Sequence, residues 1–145
     1  MKRALDFLNE AKTFYLATVD ESGQPHVRPF GAVCAFDGRL YICTNNQKPV
    51  YDQIVKQPKV EISGMAGGSW IRLKAKAVED DRVEARRAML EANPSLRGMY
   101  REDDGLFVVL ALTDATATFC SFTSAPEKPR ILAMKVRKSV TVIAR

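Results

Sequence analysis

The sequence has few of the residues that build metal centres or disulfide frameworks. It contains one histidine and three cysteines, and no two cysteines have the C-x-x-C spacing. We therefore expect neither a metal site made of imidazole and thiolate ligands nor a disulfide scaffold. Cys34, Cys43 and Cys120 each lie within an apolar, strand-like run. Because a free thiol packs there as a small apolar side chain, we expect all three to be buried structural residues.

Long apolar runs and glycine-rich phosphate loops are also lacking. No stretch approaches the roughly 20 apolar residues that span a bilayer, and the N-terminus lacks the apolar segment of a secretory signal. The chain contains no G-x-G-x-x-G or G-K-[ST] motif, the loops with which many folds bind nucleotides. We therefore expect a soluble cytoplasmic protein without membrane segments, in which side chains and strand ends bind any phosphate.

Acidic residues are absent from the last part of the chain. The net charge is +5, and the five basic residues beyond position 129 are Arg130, Lys135, Arg137, Lys138 and Arg145. Residues 1–129 are therefore neutral overall, which argues against a nucleic-acid groove on the folded body. We predict a single domain over residues 1–124, followed by a basic tail over residues 125–145 that is mobile or packs on a partner subunit.

Apolar and β-branched runs bounded by turn residues predict a mainly β chain. The predicted strands span residues 13–19, 26–36, 39–44, 59–65, 70–78, 106–112 and 115–122. The predicted helices span residues 2–12, 49–56, 82–92 and 94–99, with Asp81 as the N-cap of the third. Because strands and helices do not alternate regularly, we expect a small antiparallel β-barrel with peripheral helices. Residues 131–145 fit either a strand or a mobile tail.

A two-residue turn is predicted at Asp37-Gly38. Asp-Gly between two apolar runs is typical of a tight β-hairpin. Because antiparallel partners keep a constant sum of residue numbers, this turn pairs Phe36 with Arg39 and Cys34 with Tyr41.

Phosphate-binding side chains are expected at the open end of this hairpin. Extending the register along both strands places Gly31 opposite Thr44 and Arg28 opposite Gln47. We therefore expect Arg28, Thr44 and Lys48 to converge. A guanidinium, a hydroxyl and an ammonium without a carboxylate suit a phosphate, whose charge of about −1.5 to −2 needs several donors. The alternative is that Arg28 and Lys48 are ordinary solvated charges at strand ends.

Three segments of the sequence resemble a known family. They are A-T-V-D with G-Q-P-H-V-R-P in residues 17–29, L-Y-I-C-T with the lysine in residues 40–48, and W-I-R-L in residues 70–73. These motifs resemble the FMN-binding split barrels related to pyridoxamine 5′-phosphate oxidase, over roughly residues 5–123. Residues 80–100 are similar to the small single-domain subgroup. The resemblance implies an antiparallel Greek-key split barrel that binds FMN at the interface of a homodimer.

The resemblance also implies roles for individual residues. In that family the FMN phosphate is held by the residues that match Arg28, Thr44 and Lys48. The backbone strip beside the isoalloxazine ring matches residues 29–31. The further implied cofactor contacts, including that strip, are Pro29, Phe30, Gly31, Cys43, Asn46, Gln47, Trp70 and Phe122.

Several of these residues have a second interpretation. Asn46 and Gln47 either donate to the phosphate or ribityl chain or cap the helix that begins near residue 49. Trp70 either stacks near the flavin ring or packs in the core. Phe122 either approaches the flavin of the partner subunit or belongs to the core or the dimer interface.

The resemblance implies an oxidoreductase that passes electrons or hydride through FMN between small molecules, with NAD(P)H as one possible donor. No catalytic side chain is expected, because the flavin supplies the chemistry. His26 has no obvious carboxylate partner and is interpreted as a strand residue. The family's Arg-x-His substrate pair is absent, so true pyridoxamine 5′-phosphate oxidase activity is not expected. The alternatives are a deazaflavin or haem in the same fold, a non-catalytic flavin sensor or storage protein, and a nucleic-acid-binding barrel.

Overall fold

The computed structural model describes residues 1–132, and residues 133–145, which include most of the predicted basic tail, lie outside the described residues. The elements are, in chain order, α1 (Lys2–Ala11), β1 (Phe14–Val19), β2 (Pro25–Phe30), β3 (Val33–Phe36), β4 (Arg39–Asn45), α2 (Pro49–Lys56), β5 (Lys59–Ala66), β6 (Ser69–Glu79), α3 (Val83–Ala92), a 3₁₀ helix (Pro94–Gly98), β7 (Phe107–Ser121) and β8 (Arg130–Ile131). None of the helices in this part of the chain is long and apolar enough to cross a membrane.

The predicted hairpin turn is confirmed. Asp37 and Gly38 have φ angles of 46° and 74°, and a type I′ turn requires positive φ at both central positions. Phe36 pairs with Arg39, and the ladder of β3 with β4 continues from this pair as far as Val33 and Ile42. Local turn chemistry therefore sets the register of this hairpin.

One antiparallel sheet curls into a split barrel. The strand order is β2-β1-β5-β6-β7-β4-β3, and β8 pairs with β7. The edge strands β2 and β3 follow one another in the chain with only Gly31 and Ala32 between them, so the sheet must curl until its edges approach. No ladder joins β2 to β3 within residues 1–132, and the barrel is split rather than closed. The predicted antiparallel split barrel with peripheral helices is confirmed.

The prediction of one long strand from residue 26 to residue 36 is wrong. The chain divides into β2 and β3, and β2 pairs with β1, which places Arg28 opposite Leu16 rather than Gln47. The reason is the turn at Asp20, whose carboxylate accepts hydrogen bonds from the backbone N–H groups of Ser22 and Gln24. This turn folds β2 back onto β1, and residues 31–32 then carry the chain to the opposite edge of the sheet.

The two strands predicted at residues 106–112 and 115–122 are a single strand. β7 runs for 15 residues, and Asp114, which the sequence pattern places between two strands, has a φ of 49° inside it. The register with β6 shifts between Lys74 and Lys76. The turn-like residues therefore form a β-bulge, which bends a strand without ending it.

The predicted N-cap of α3 is also wrong. The N-cap position is Arg82, and no side chain caps the helix there. Asp80 instead accepts a 3.1 Å hydrogen bond from the Arg82 N–H just before the helix. The carboxylate of Asp80 is held in place by the guanidinium of Arg82 and the hydroxyl of Tyr41, so this position, and not Asp81, organises the start of α3.

The main core lies inside the curled sheet. The alternation of charged and apolar residues from Arg72 to Ala77 predicts that one face of β6 is exposed to solvent, and this is confirmed: Ile71 and Leu73 are buried while Arg72 and Lys74 are exposed. Helices α1 and α2 close this core, whereas α3 packs on the other face of β3, β4 and β7. Burial of each large aliphatic side chain contributes roughly 1.5 to 3 kcal/mol. The three cysteines are buried and free, as predicted.

The start of the predicted tail packs on the folded body. The backbone N–H of Glu127 donates to the carbonyl of Phe119, and the Glu127 carboxylate accepts two hydrogen bonds from the Arg3 guanidinium at 2.7 and 2.8 Å. β8 then continues beside the second half of β7. The chain up to Leu132 therefore runs back along the sheet.

Candidate functional site

A cavity of about 370 Å³ opens where the end of β4 meets the link between β2 and β3. Six of the eleven residues predicted to contact a cofactor line it: Pro29, Phe30, Gly31, Cys43, Thr44 and Lys48. The remaining lining residues are Ala32 and, from the segment after α3, Asn93, Ser95, Leu96, Met99 and Tyr100. Lys48 is the one charged side chain in this lining. The cavity therefore has a cationic end and a largely uncharged body, within the size range of ligand sites.

The hydroxyl of Thr44 is an unpartnered polar group at this site. Thr44 lies on β4 opposite Val108 of β7 and is 4% exposed. Its Oγ1 has no hydrogen-bond partner among the described residues. A buried polar atom without a partner costs about 1 to 3 kcal/mol, so Thr44 would gain from a ligand that exchanges a hydrogen bond with it.

Lys48 supplies the positive charge of the cavity. It is the N-cap residue of α2, directly before Pro49 at the first helical position. Within residues 1–132 its ammonium forms no ion pair. The N-terminus of a helix carries a partial positive charge that adds to the charge of the lysine. This end of the cavity therefore favours an anion.

Cys43 lines the cavity without being a reactive thiol. Burial, with a smaller contribution from Cys34, raises its pKa to about 12, and the charge of Lys48 offsets only part of the shift. The thiol is therefore protonated at neutral pH, and a protonated thiol is neither a nucleophile nor a metal ligand. The Cys43 side chain therefore contributes only to the shape of the cavity.

The structure does not bring Arg28 into the lining of this cavity. Its guanidinium instead donates from Nη1 to the carbonyl of Leu16 at 3.1 Å and to Oγ1 of Thr18 at 2.7 Å. Its Nη2 donates to Oε1 of Gln53 at 3.0 Å. The expected convergence with Thr44 along one hairpin is wrong, because β2 pairs with β1.

Arg28 nevertheless keeps one edge of its guanidinium free. The two side-chain acceptors, Oγ1 of Thr18 and Oε1 of Gln53, are 2.6 Å apart, because the Thr18 hydroxyl donates to Gln53. Both must therefore lie on the same edge of the guanidinium, the edge between Nη1 and Nη2. The fork formed by Nε–H and the second Nη2–H therefore has no acceptor within the described residues. Such a fork matches two oxygens of a phosphate or carboxylate.

The Arg28 side chain is also half-buried and has no ion-pair partner within residues 1–132. Burial lowers its pKa, and all three of its acceptors are neutral oxygens. Gln53 lies four residues after Pro49 on α2, which is about 6 Å along a helix axis. The cation is therefore about one helical turn from the end of α2 where Lys48 lies.

Asn46 and Gln47 are engaged in the loop after β4. The Asn46 amide donates to the carbonyl of Gly105 at 2.9 Å, and the Gln47 amide donates to Oδ1 of Asn46 at 2.9 Å. Neither caps α2, since its N-cap position is Lys48 and has no side-chain cap. Both residues shape the turn that presents Lys48.

Trp70 and Phe122 form a pair outside the cavity. Their ring centroids are 4.6 Å apart, at the end of the sheet where β6 begins and β7 ends. Phe122 is 76% exposed. Neither residue belongs to the main core, so core packing does not explain them.

His26 has a carboxylate partner, contrary to expectation. Its Nε2 lies 2.9 Å from Oδ2 of Asp20, the carboxylate that also organises the turn between β1 and β2. Hydrogen bonds from the Ser22 hydroxyl and then from His26 hold the pKa of Asp20 well below its usual range. The pair was missed because the turn brings two polar residues together that look independent in the sequence. His26 does not line the cavity.

Comparison with known proteins identifies the family. Residues 1–120 match the family described as pyridoxamine 5′-phosphate oxidase. The chain belongs to this family. A NimC/NimA family protein from Clostridium acetobutylicum, of known crystal structure, is 53% identical to this chain, with a TM-score of 0.82 over 87% of this chain and 91% of that one. No curated protein matches the sequence.

Solved structures of lower sequence identity share the fold alone. General Stress Protein 26 from Bacillus anthracis str. Sterne is 19% identical, with a TM-score of 0.69 over 92% of this chain and 97% of that one. A haem-binding protein from Mycobacterium smegmatis is 17% identical, with a TM-score of 0.67 over 86% of this chain and 57% of that one.

One wall of the cavity was not predicted from the sequence. The wall consists of Asn93, Ser95, Leu96, Met99 and Tyr100, which follow α3. The sequence offered one signal: Leu96 and Met99 are apolar residues in a short, otherwise polar segment. Two apolar residues in a polar segment indicate burial but do not indicate which part of the molecule they contact, because that depends on where α3 packs on the sheet.

Proposed function

We propose that this protein binds FMN in the cavity at the end of β4 and transfers electrons or hydride through it. The observation that carries the proposal is that one cavity is lined by Thr44, whose buried hydroxyl has no partner within residues 1–132, and by Lys48, whose ammonium forms no ion pair there. A neutral or cationic ligand would leave that ammonium without a counter-charge. A phosphate accepts from both groups.

The phosphate end of the proposed site combines three kinds of donor. Thr44 supplies a hydroxyl and Lys48 a point charge, whereas the free fork of Arg28 offers two parallel N–H groups from about one turn further along α2. Arg28 keeps this fork available because Thr18 and Gln53 occupy the other edge of its guanidinium. We propose that all three residues bind the phosphate.

The body of the cavity suits a flat, largely uncharged ring. Residues 29–31 line it, together with the apolar residues Leu96 and Met99 from the segment after α3. When bound, the flavin would supply the redox chemistry itself. The protein would then bind and orient the ring and exclude water, with no side chain acting as acid, base or nucleophile.

The outer face of the sheet supports a homodimer. Tyr15, Met65 and Phe122 are exposed on it, and Met65 lies opposite Trp70 in the register of β5 with β6. Within residues 1–132, α1 and α2 close the inner core, and α3 covers the outer face only at β3, β4 and β7. We propose that a second copy of the chain covers it, because such an exposed apolar face commonly marks an interface.

Haem is a weaker candidate for the same fold. Haem iron is commonly held by a histidine, and the single histidine of this chain pairs with Asp20 away from the cavity. A deazaflavin would differ from FMN in its visible spectrum.

The three buried free thiols suit a reducing compartment, which supports a cytoplasmic location. NAD(P)H is then a candidate electron donor.

The test is a titration of the apoprotein with FMN and with riboflavin, followed by flavin fluorescence. We expect FMN to bind more tightly than riboflavin, because only FMN carries the phosphate. Lys48→Ala should weaken FMN binding about tenfold and leave riboflavin binding almost unchanged, on the scale of one charged hydrogen bond. Lys59→Ala, which removes a lysine far from the cavity, is the matched control. A wild-type protein that bound no FMN would overturn the proposal. Turnover of NADH by the FMN-loaded protein would distinguish an enzyme from a storage protein.

A further inference from the structure

Tyr100 is a nearly buried residue in the cavity lining contributed by the segment after α3. It lines the cavity and is 9% exposed. Its ring stacks on Phe107, with centroids 4.9 Å apart and an angle of 20° between the planes. The position of its hydroxyl is therefore set by packing and does not depend on a flexible side chain.

The direction of the hydrogen bond at this hydroxyl follows from its neighbour Asn45. The Oδ1 of Asn45 accepts a 3.0 Å hydrogen bond from the backbone N–H of Gln47. Because a backbone N–H can only donate, this contact fixes which end of the amide is oxygen. The Nδ2 of Asn45 then donates to the Tyr100 hydroxyl oxygen at 2.8 Å. Tyr100 is the acceptor in that bond.

The hydrogen of the Tyr100 hydroxyl therefore remains available to donate a hydrogen bond. It has no acceptor among the described residues, although a buried donor normally finds one. Asn45, which holds Tyr100, directly follows Thr44, whose hydroxyl is also unpartnered. With Lys48 nearby, the lining presents three groups that can donate, and it has no carboxylate that could accept from them.

We propose that the Tyr100 hydroxyl donates a hydrogen bond to an oxygen atom of the bound flavin. This inference rests on the proposed function and adds a binding residue from the wall after α3. Tyr100 does not take part in the redox chemistry. It holds the cofactor from the segment after α3, while Asn45 donates to its hydroxyl oxygen.

The test is Tyr100→Phe, which removes only the hydroxyl. We expect FMN to bind about tenfold more weakly, as for the loss of one hydrogen bond between a buried donor and a ligand oxygen. If riboflavin weakens equally, the acceptor is on the ring or ribityl chain; if only FMN weakens, the acceptor is a phosphate oxygen. Both results support the proposal.

Two control variants separate this role from a structural one. Tyr51→Phe removes a hydroxyl that donates to Glu79 at 2.6 Å away from the cavity, and should leave FMN affinity unchanged. Asn45→Ala removes the donor to Tyr100 but leaves its hydroxyl free to donate, so affinity should fall by less than about threefold. The melting temperature of each apoprotein shows that the variants fold.

Three results would overturn the inference. FMN affinity unchanged in Tyr100→Phe would overturn it while leaving the proposed function intact. A loss in Asn45→Ala as large as in Tyr100→Phe would assign the effect to the Asn45 contact. A wild-type protein that bound no flavin would overturn the proposed function together with this inference.

Discussion

The guanidinium of Arg28 donates a 3.0 Å hydrogen bond to the side-chain oxygen of Gln53, which ties edge strand β2 to helix α2. The same oxygen accepts a 2.6 Å hydrogen bond from Thr18 on β1. One amide oxygen thus serves two donors from two strands. The orientation of Arg28 therefore depends on the helix that begins at the cationic end of the cavity.

Replacing Gln53 with Met should release Arg28. The variant keeps the length of the side chain and loses the acceptor for both donors, so the free energy of unfolding should fall by about 1.5 to 3 kcal/mol. FMN binding should also weaken, because the Arg28 fork is no longer held in one place. Urea unfolding and FMN titration measure the two effects. Gln57→Met, at the exposed end of α2, is the control, and an unfolding midpoint equal to that of the control would refute the role of Gln53.

Replacing Thr44 with Val should change stability and affinity in opposite directions. Val has nearly the same shape and carries no unpartnered hydroxyl, so the apoprotein should gain about 1 kcal/mol of stability. FMN binding should weaken because the ligand loses a partner. Thr18→Val is the matched control: its hydroxyl is buried and hydrogen-bonded, so its loss should destabilise the apoprotein. A Thr44→Val apoprotein that is less stable than wild type would contradict this account.

The stability of the protein should depend on Asp80 in acid. The Arg82 guanidinium is the main cause that lowers the pKa of Asp80 to about 2, from 3.8, and the Asp80 side chain is 12% exposed. A carboxyl whose pKa is lower in the folded state stabilises above the unfolded pKa, and this stability is lost as pH falls through the folded value. It amounts to about 2 kcal/mol above pH 4 and disappears towards pH 2.

Asp80→Asn tests this linkage by denaturant unfolding across the pH range. The variant should be about 2 kcal/mol less stable than wild type at pH 7, and the difference should shrink between pH 4 and pH 2. Asp37→Asn is the control, since Asp37 also contacts Arg82 at 3.1 Å but is 55% exposed, where an ion pair contributes little. A difference between Asp80→Asn and wild type that did not change with pH would exclude the linkage.

A charge on the outer face of the sheet should weaken the proposed homodimer. Met65 is 56% exposed and lies opposite Trp70, so Met65→Glu would place an unpaired carboxylate within the interface. Light scattering should give the mass of two chains for wild type and a shift towards one chain for the variant. Val55→Glu, equally exposed but on α2, should keep the wild-type mass. A monomeric wild-type protein would remove the basis for the interface.

Features set by neighbouring residues were predictable from the sequence. The Asp37-Gly38 turn and its register follow from the conformations that those two residues adopt readily. The alternation from Arg72 to Ala77 predicts the wet and buried faces of β6, because side chains of a strand point to alternate faces. Features that depend on a choice between alternative partners were not predictable. The strand that contains Arg28 could pair with β1 or with β4, and Asp114 could end a strand or form a β-bulge within it.

The chemistry of the site and its assembly therefore have different origins. The amino-acid sequence is enough to identify Thr44 and Lys48 as candidate anion ligands, and it contains few histidines and cysteines and no glycine-rich phosphate-loop motif. The tertiary structure places Tyr100 in the lining of their cavity and Arg28 outside that lining, where its guanidinium donates to Gln53. The physical reason is that local turns fix short-range pairs, whereas edge strands and docked helices are placed by competition among contacts distant in the chain.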